Sequence, residues 1–103
     1  MPTWRQRGDL WTHAPAQPKG VLQFLGGSGL GASPQLSYRR LLEALSSRGW
    51  LVQCWSYLPT FDHQLLAVQA WQSFRQQRQS GLPVLRLGHS MGCKLHMLAP
   101  DQG

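Results

Sequence analysis

Val84-Leu85-Arg86-Leu87-Gly88-His89-Ser90-Met91-Gly92 is the stretch on which the reading of the fold turns. A short apolar run stops at Gly88, and helix-like residues begin at Met91. The turn between them spells G-x-S-x-G in a strand–turn–helix context. Such a turn holds its serine in a strained conformation and lifts Oγ above the sheet. Gly88 and Gly92, two residues either side, remove the side chains that would collide with the neighbouring strand and helix. The N–H of Met91, at the helix start, then points to where the oxygen of a tetrahedral intermediate would lie. A bare five-residue match is commonplace; this context makes Ser90 a candidate nucleophile.

Upstream, strand-like and helix-like segments alternate. Val21–Leu25 is an apolar run stopped by Gly26-Gly27, as expected of a buried strand. Ser33-Pro34 reads as a helix cap followed by proline at the first helical position, with Tyr38, Leu41, Leu42 and Leu45 on one face. Gly49 is placed to end that helix in the left-handed region. Trp50–Trp55 is the next strand. Asp62 caps a helix whose apolar positions are Ala67, Ala70, Trp71 and Phe74, and Pro83–Leu87 and Met91–Leu98 complete the pattern. The order βαβαβα predicts right-handed crossovers and a three-layer α/β/α fold with a mostly parallel sheet. Residues 19–103 form that domain. Residues 1–18 read as weakly structured or an edge strand, with a short strand near Leu10–Thr12.

The turn after the first strand, Gly26-Gly27-Ser28-Gly29-Leu30-Gly31-Ala32-Ser33, comes one residue from a phosphate-binding loop. Ala32 stands where the lysine would contact phosphate, and the turn does not spell G-x-G-x-x-G. No acid closes the second strand to hold a ribose, so no nucleotide cofactor is expected. The backbone N–H groups of Gly27 and Ser28 read instead as donors to a developing oxyanion. A strand-to-helix turn without any ligand is the plain alternative.

Composition narrows the classes. One hundred and three residues make at most one domain, and Lys+Arg 10 against Asp+Glu 4 leaves a net charge of +6. The positive balance reflects a shortage of acids (Asp9, Glu43, Asp62 and Asp101 are the whole supply) rather than a basic stripe. Only Arg39-Arg40 are adjacent, so no nucleic-acid partner is expected. No apolar run approaches the ~20 residues of a membrane span, and the polar, Pro-rich first residues lead us to expect no secretory signal. Cys54 and Cys93 have neither zinc-site spacing nor a disulfide framework, so no metal is expected and a reduced cytoplasmic compartment is the default.

Several segments together carry a family resemblance: Phe24-Leu25-Gly26-Gly27, Ala32-Ser33-Pro34-Gln35-Leu36-Ser37-Tyr38, Leu41-Leu42-Glu43, Phe61-Asp62-His63, Leu82-Pro83-Val84 and Gly88-His89-Ser90-Met91-Gly92-Cys93-Lys94-Leu95-His96. From Lys19 onward the chain resembles the N-terminal half of an uncharacterised family of cyanobacterial and chloroplast proteins, domain-of-unknown-function family 1350, itself similar to the α/β-hydrolases. The resemblance implies the N-terminal portion of an α/β-hydrolase fold and a serine-hydrolase-like site, but no substrate.

In α/β-hydrolases the triad runs Ser…Asp/Glu…His. After Ser90 this chain has only His96 and Asp101, in the reverse order. Six helical residues turn His96 by about 240° and raise it about 9 Å relative to Ser90. His89 reads as packing or wall, His63 as part of a helix start capped by Asp62, and Cys93 as a buried structural cysteine; His13 has no assigned role. The resemblance implies an interior elbow strand, yet nothing follows it here, which leaves Val84–Leu87 an open apolar edge. Two readings follow. In one, this is a truncated piece of a parent that hydrolyses an ester, thioester or related acyl bond of a small molecule, inactive alone because the triad acid and histidine are missing. In the other, it is a non-catalytic interaction protein that self-associates or docks through that edge.

Overall fold

The computed structural model describes residues 4–27, 37–58, 60, 62–77 and 81–98. Its elements in chain order are β1 (Arg5–Arg7), β2 (Leu10–His13), β3 (Gly20–Leu25), α1 (Arg39–Ser47), β4 (Trp50–Trp55), α2 (His63–Gln76), β5 (Val84–Gly88) and α3 (Met91–Leu98). The strands form one sheet in the order β1-β2-β4-β3-β5. β3 pairs in parallel with both β4 and β5, whereas β1–β2 and β2–β4 are antiparallel.

The sheet is therefore mixed rather than mostly parallel. The difference lies in the first eighteen residues, which supply a hairpin. Arg5, Gln6 and Arg7 are all exposed, so β1 has no apolar alternation by which a strand is recognised in sequence. What holds the hairpin is β2, whose Leu10 and His13 are buried and which pairs with β4 from Leu10↔Trp55 to His13↔Val52. The His13 and Ser46 side chains meet, Nδ1 to Oγ, at 2.7 Å and tie β2 to α1. Trp4 Nε1–H donates to Glu43 Oε2 at 2.8 Å and ties the start of the hairpin to the same helix.

Side-chain alternation on the central strands sets the layers. Leu22 and Phe24 of β3 and Val52 and Cys54 of β4 pack on one face with Leu42 of α1. Leu25 and Trp55 face the opposite way, against Leu66, Ala67, Ala70 and Phe74 of α2 and Leu95 of α3. The result is α1 on one face and α2 with α3 on the other. Burial pushes the Cys54 thiol well above its usual range, so it packs as a small apolar group. The second face also carries a polar row, since Gln53, Gln23 and Arg86 are paired in register across β4, β3 and β5. Gln53 Nε2–H donates to Gln77 O at 2.8 Å, and the Arg86 guanidinium donates to His96 O at 3.2 Å.

Most predicted boundaries match. β4 spans Trp50–Trp55 as expected, Gly49 has φ +104° beyond the end of α1, and Asp62 caps α2 by accepting the Leu65 N–H at 3.0 Å. Two helix faces differ in detail. Leu41, expected on the apolar stripe of α1, is exposed, while Ser46 is buried because His13 reaches it. On α2, Leu66 takes a buried position, while Trp71 is half-buried with Arg75 over its ring at 5.1 Å. The predicted cap Ser33-Pro34 lies outside the described residues.

Topology then places the site. The chain leaves β3 for α1 on one face and leaves β5 for α3 on the other. The strands stay paired to their last residues, Leu25 and Gly88, and the helices that follow them lie on opposite faces, the kind of switch point beside which open α/β sheets bind ligands. β5 is the edge of the sheet, with Val84 and Leu85 exposed.

Candidate active site

The turn after β5 has the geometry expected of its sequence. Ser90 has φ +57°, the one positive value at a non-glycine among the described residues. A side chain at positive φ is strained, and such strain concentrates at functional sites. The turn is held by main chain: His89 N–H donates to Leu25 O at 3.0 Å, Gly92 N–H to His89 O at 3.0 Å, and Cys93 N–H to Ser90 O at 3.1 Å. Both glycines are required by space. A Cβ on Gly88 would lie 2.6 Å from the Cys93 nitrogen, and one on Gly92 would run into the Leu25 carbonyl. Backbone cannot yield to such contacts as a side-chain tip can, so α3 reaches its position only with glycine there.

The turn after β3 comes to the same place. A Cβ added to Gly27 would lie 3.2 Å from Ser90 Cβ, so its backbone faces the serine directly. Two tyrosine hydroxyls hold this turn. Tyr57 O–H donates to Gly26 O at 2.6 Å, and Gly27 N–H donates to Tyr38 Oη at 3.0 Å. Burial, and secondarily the neighbouring Tyr38, pushes the Tyr57 hydroxyl up to about 12, so it remains a donor. The Tyr38 Oη also lies 2.9 Å from His89 Nδ1. Gly27 N–H is thus directed at a side chain of the site itself, Met91 opens α3 beside Ser90, and Ser28 lies outside the described residues.

Tyr38 and Tyr57 were not singled out as site residues from sequence. Tyr38 fits the apolar stripe of its helix, and Tyr57 follows a strand without any motif. The available signal was chemical: a buried tyrosine hydroxyl needs a partner, and glycine turns expose backbone groups that provide one.

The histidines serve structural bonds. His96 Nε2–H donates to Leu87 O at 3.0 Å and its ring stacks on Phe74. Burial first, with Arg86 beside it, brings His96 down to about 4, against the pull of its backbone hydrogen bonds, so it is neutral near pH 7. It is turned away from Ser90, as the helical geometry requires. His63 opens α2, where Lys94 Nζ donates to its Nδ1 at 2.9 Å. His89 is exposed and bound to Tyr38. Among the described residues no side chain hydrogen-bonds Ser90 Oγ. Asp101 lies outside them. Cys93 is exposed, not buried as the sequence suggested, because Gly92 and Leu95 take the inner face of α3. Among the described residues no three metal-ligating side chains converge, and no helix is long and apolar enough to cross a membrane.

A family model described as a protein of unknown function (DUF1350) matches residues 3–101. The chain belongs to that family. The match runs further upstream than the segments from Lys19 onward, so the β1–β2 hairpin falls within the DUF1350 unit. Neither the curated proteins nor the solved structures contain a match to this DUF1350 chain.

Proposed function

We propose that this DUF1350 chain carries the nucleophile half of a serine-dependent hydrolase acting on an ester, thioester or related acyl bond of a small molecule, on the N-terminal portion of an α/β-hydrolase fold. The observation that carries the reading is Ser90 at φ +57° between two glycines with no room for a Cβ, facing the Gly27 turn. Strain of this kind has no packing role, whereas a nucleophile elbow needs it. Ser90 Oγ would attack the carbonyl, and the N–H of Met91 would hold the oxyanion with that of Gly27 or Ser28. Gly27 would exchange its bond to Tyr38 for the substrate oxygen.

The missing part is the base. In this reading a histidine acts from the open side of β5, where no described strand lies. Added imidazole should then substitute for it. Fluorophosphonate labelling of this chain, located by peptide mass spectrometry, should fall on Ser90, be slow alone, and accelerate about a hundredfold with imidazole. Labelling of the Ser90→Ala chain at the same rate as the unaltered protein, with and without imidazole, sinks the reading.

One observation favours a second reading, an interaction protein that pairs through β5. Val84 and Leu85 are 38% and 48% exposed on that edge, and Met97 on the adjoining helix is 85% exposed. Light scattering across concentration separates the two: a constant monomer mass removes self-pairing, and a dimer abolished by Leu85→Lys supports it.

A further inference from the structure

The C-terminal edge of the sheet carries a concavity at β4, the strand next to β3. A cavity of about 380 Å³ opens at the end of β4, between the β1–β2 turn and the start of α2. That is the scale of small-molecule sites. Trp55, Tyr57, Leu58 and Leu66 give it largely apolar walls, with Ser56 and Asp9 among its polar groups. Leu58, on its rim, is 74% exposed. This apolar side chain stands in water, where a bound apolar group would cover it.

Ser56 adds a polar point. Its backbone N–H donates to Asp9 O at 2.7 Å, but its buried Oγ has no hydrogen-bond partner among the described residues. A buried hydroxyl left unpaired is unfavourable, and a hydroxyl on a bound molecule would satisfy it.

One wall residue joins the cavity to the turn that faces the serine. That residue, Tyr57, holds Gly26 O, and the adjacent Gly27 faces Ser90. β4, β3 and β5 are consecutive in the sheet, so two strand spacings, ~10 Å, separate the strand ends that carry cavity and serine. A chain with its carbonyl at Ser90 would have to span those two strand spacings to bring its tail between Leu58 and Leu66.

We propose that this cavity binds the aliphatic chain of a medium-length acyl substrate, with Ser56 hydrogen-bonding a hydroxyl near the chain's end. The inference rests on the Ser90 reading for the position of the carbonyl and on the cavity itself for the chain. The test uses neutral amides, octanamide and ω-hydroxyoctanamide, titrated calorimetrically into the Ser90→Ala protein. Both should bind, the hydroxylated amide about tenfold more tightly. Leu58→Arg, a change at an exposed rim position, should weaken both by about tenfold or more, and Ser56→Ala should remove the difference between them.

Absence of binding by both amides, or binding indifferent to Leu58→Arg, overturns the site; equal affinity for the two amides before Ser56 is changed overturns the role of its hydroxyl. The Ser90 hydroxyl is absent throughout, so failure here leaves imidazole-dependent labelling of Ser90 untouched. Failure of that labelling equally leaves this binding untouched.

Discussion

The two glycine turns that meet at Ser90 are built differently. After β5 the turn is constrained by main chain: Gly88 and Gly92 are crowded by backbone atoms of α3 and β3, and three peptide hydrogen bonds close it. After β3 the turn is held by side chains, with Tyr57 on Gly26 O and Tyr38 on Gly27 N–H. A backbone-locked turn suits the group that must sit at one strained position. In the turn held by hydroxyls, the Gly27 N–H is a donor that could exchange Tyr38 Oη for another acceptor. In the proposed serine-hydrolase reading, rigidity at Ser90 and one exchangeable donor opposite it would be a sensible division for acyl transfer.

The comparison can be broken first at Gly92. Gly92→Ala drives a Cβ into the Leu25 carbonyl, and we expect a loss of about 4 kcal/mol or more, in the exceptional class for single changes. Urea unfolding read by circular dichroism checks this; an alanine protein as stable as the parent would mean that α3 does not pack as described.

Next in size is the pH response of the frame behind the elbow, where His96 joins α3 to β5. Its folded value, about 4, lies below the unfolded 6.5, so the folded state favours the neutral ring. Stability is fully present above pH 6.5 and falls as pH drops towards 4, by on the order of 2 kcal/mol given incomplete burial. His96→Gln, which keeps an N–H donor for Leu87 O, should flatten that limb of the unfolding midpoint against pH.

The hydroxyl-held turn should respond more mildly. Tyr57→Phe leaves Gly26 O buried without its donor and should cost about 1–3 kcal/mol. Tyr38→Phe, at a part-buried bond, should cost about 1 kcal/mol in the same urea assay. If either exceeds Gly92→Ala, the contrast between the turns is reversed. The smallest effect has the opposite sign. Ser90→Gly relieves a positive φ and should stabilise by about 0.5–1 kcal/mol, whereas Ser90→Ala keeps the strain and should not.

Local pattern carried most of the fold. The apolar runs of β3 and β4, the Asp62 cap, Gly49 beyond α1 and the strand–turn–helix around Ser90 are all properties of neighbours in the chain, which sequence displays directly. The β1 strand was hidden because its residues are all exposed and its order comes from pairing with β2. The inward Ser46 and outward Leu41 were hidden for a similar reason, since His13 of a distant strand selects the face of α1. Cys93 was misplaced because helix periodicity alone does not say which side meets β3.

At the site, sequence supplied the serine, its two glycines and the facing glycine turn, because steric necessity leaves a residue-type record at fixed spacing. It did not reveal that Gly27 N–H is engaged by Tyr38, that Tyr57 ties the same turn to a cavity, or that His96 is neutral and turned away. Those depend on side chains 11, 31 and 9 residues from their partners. Bonds of that kind form wherever packing brings a donor to an acceptor, and packing is settled by the whole sheet rather than by any stretch of chain.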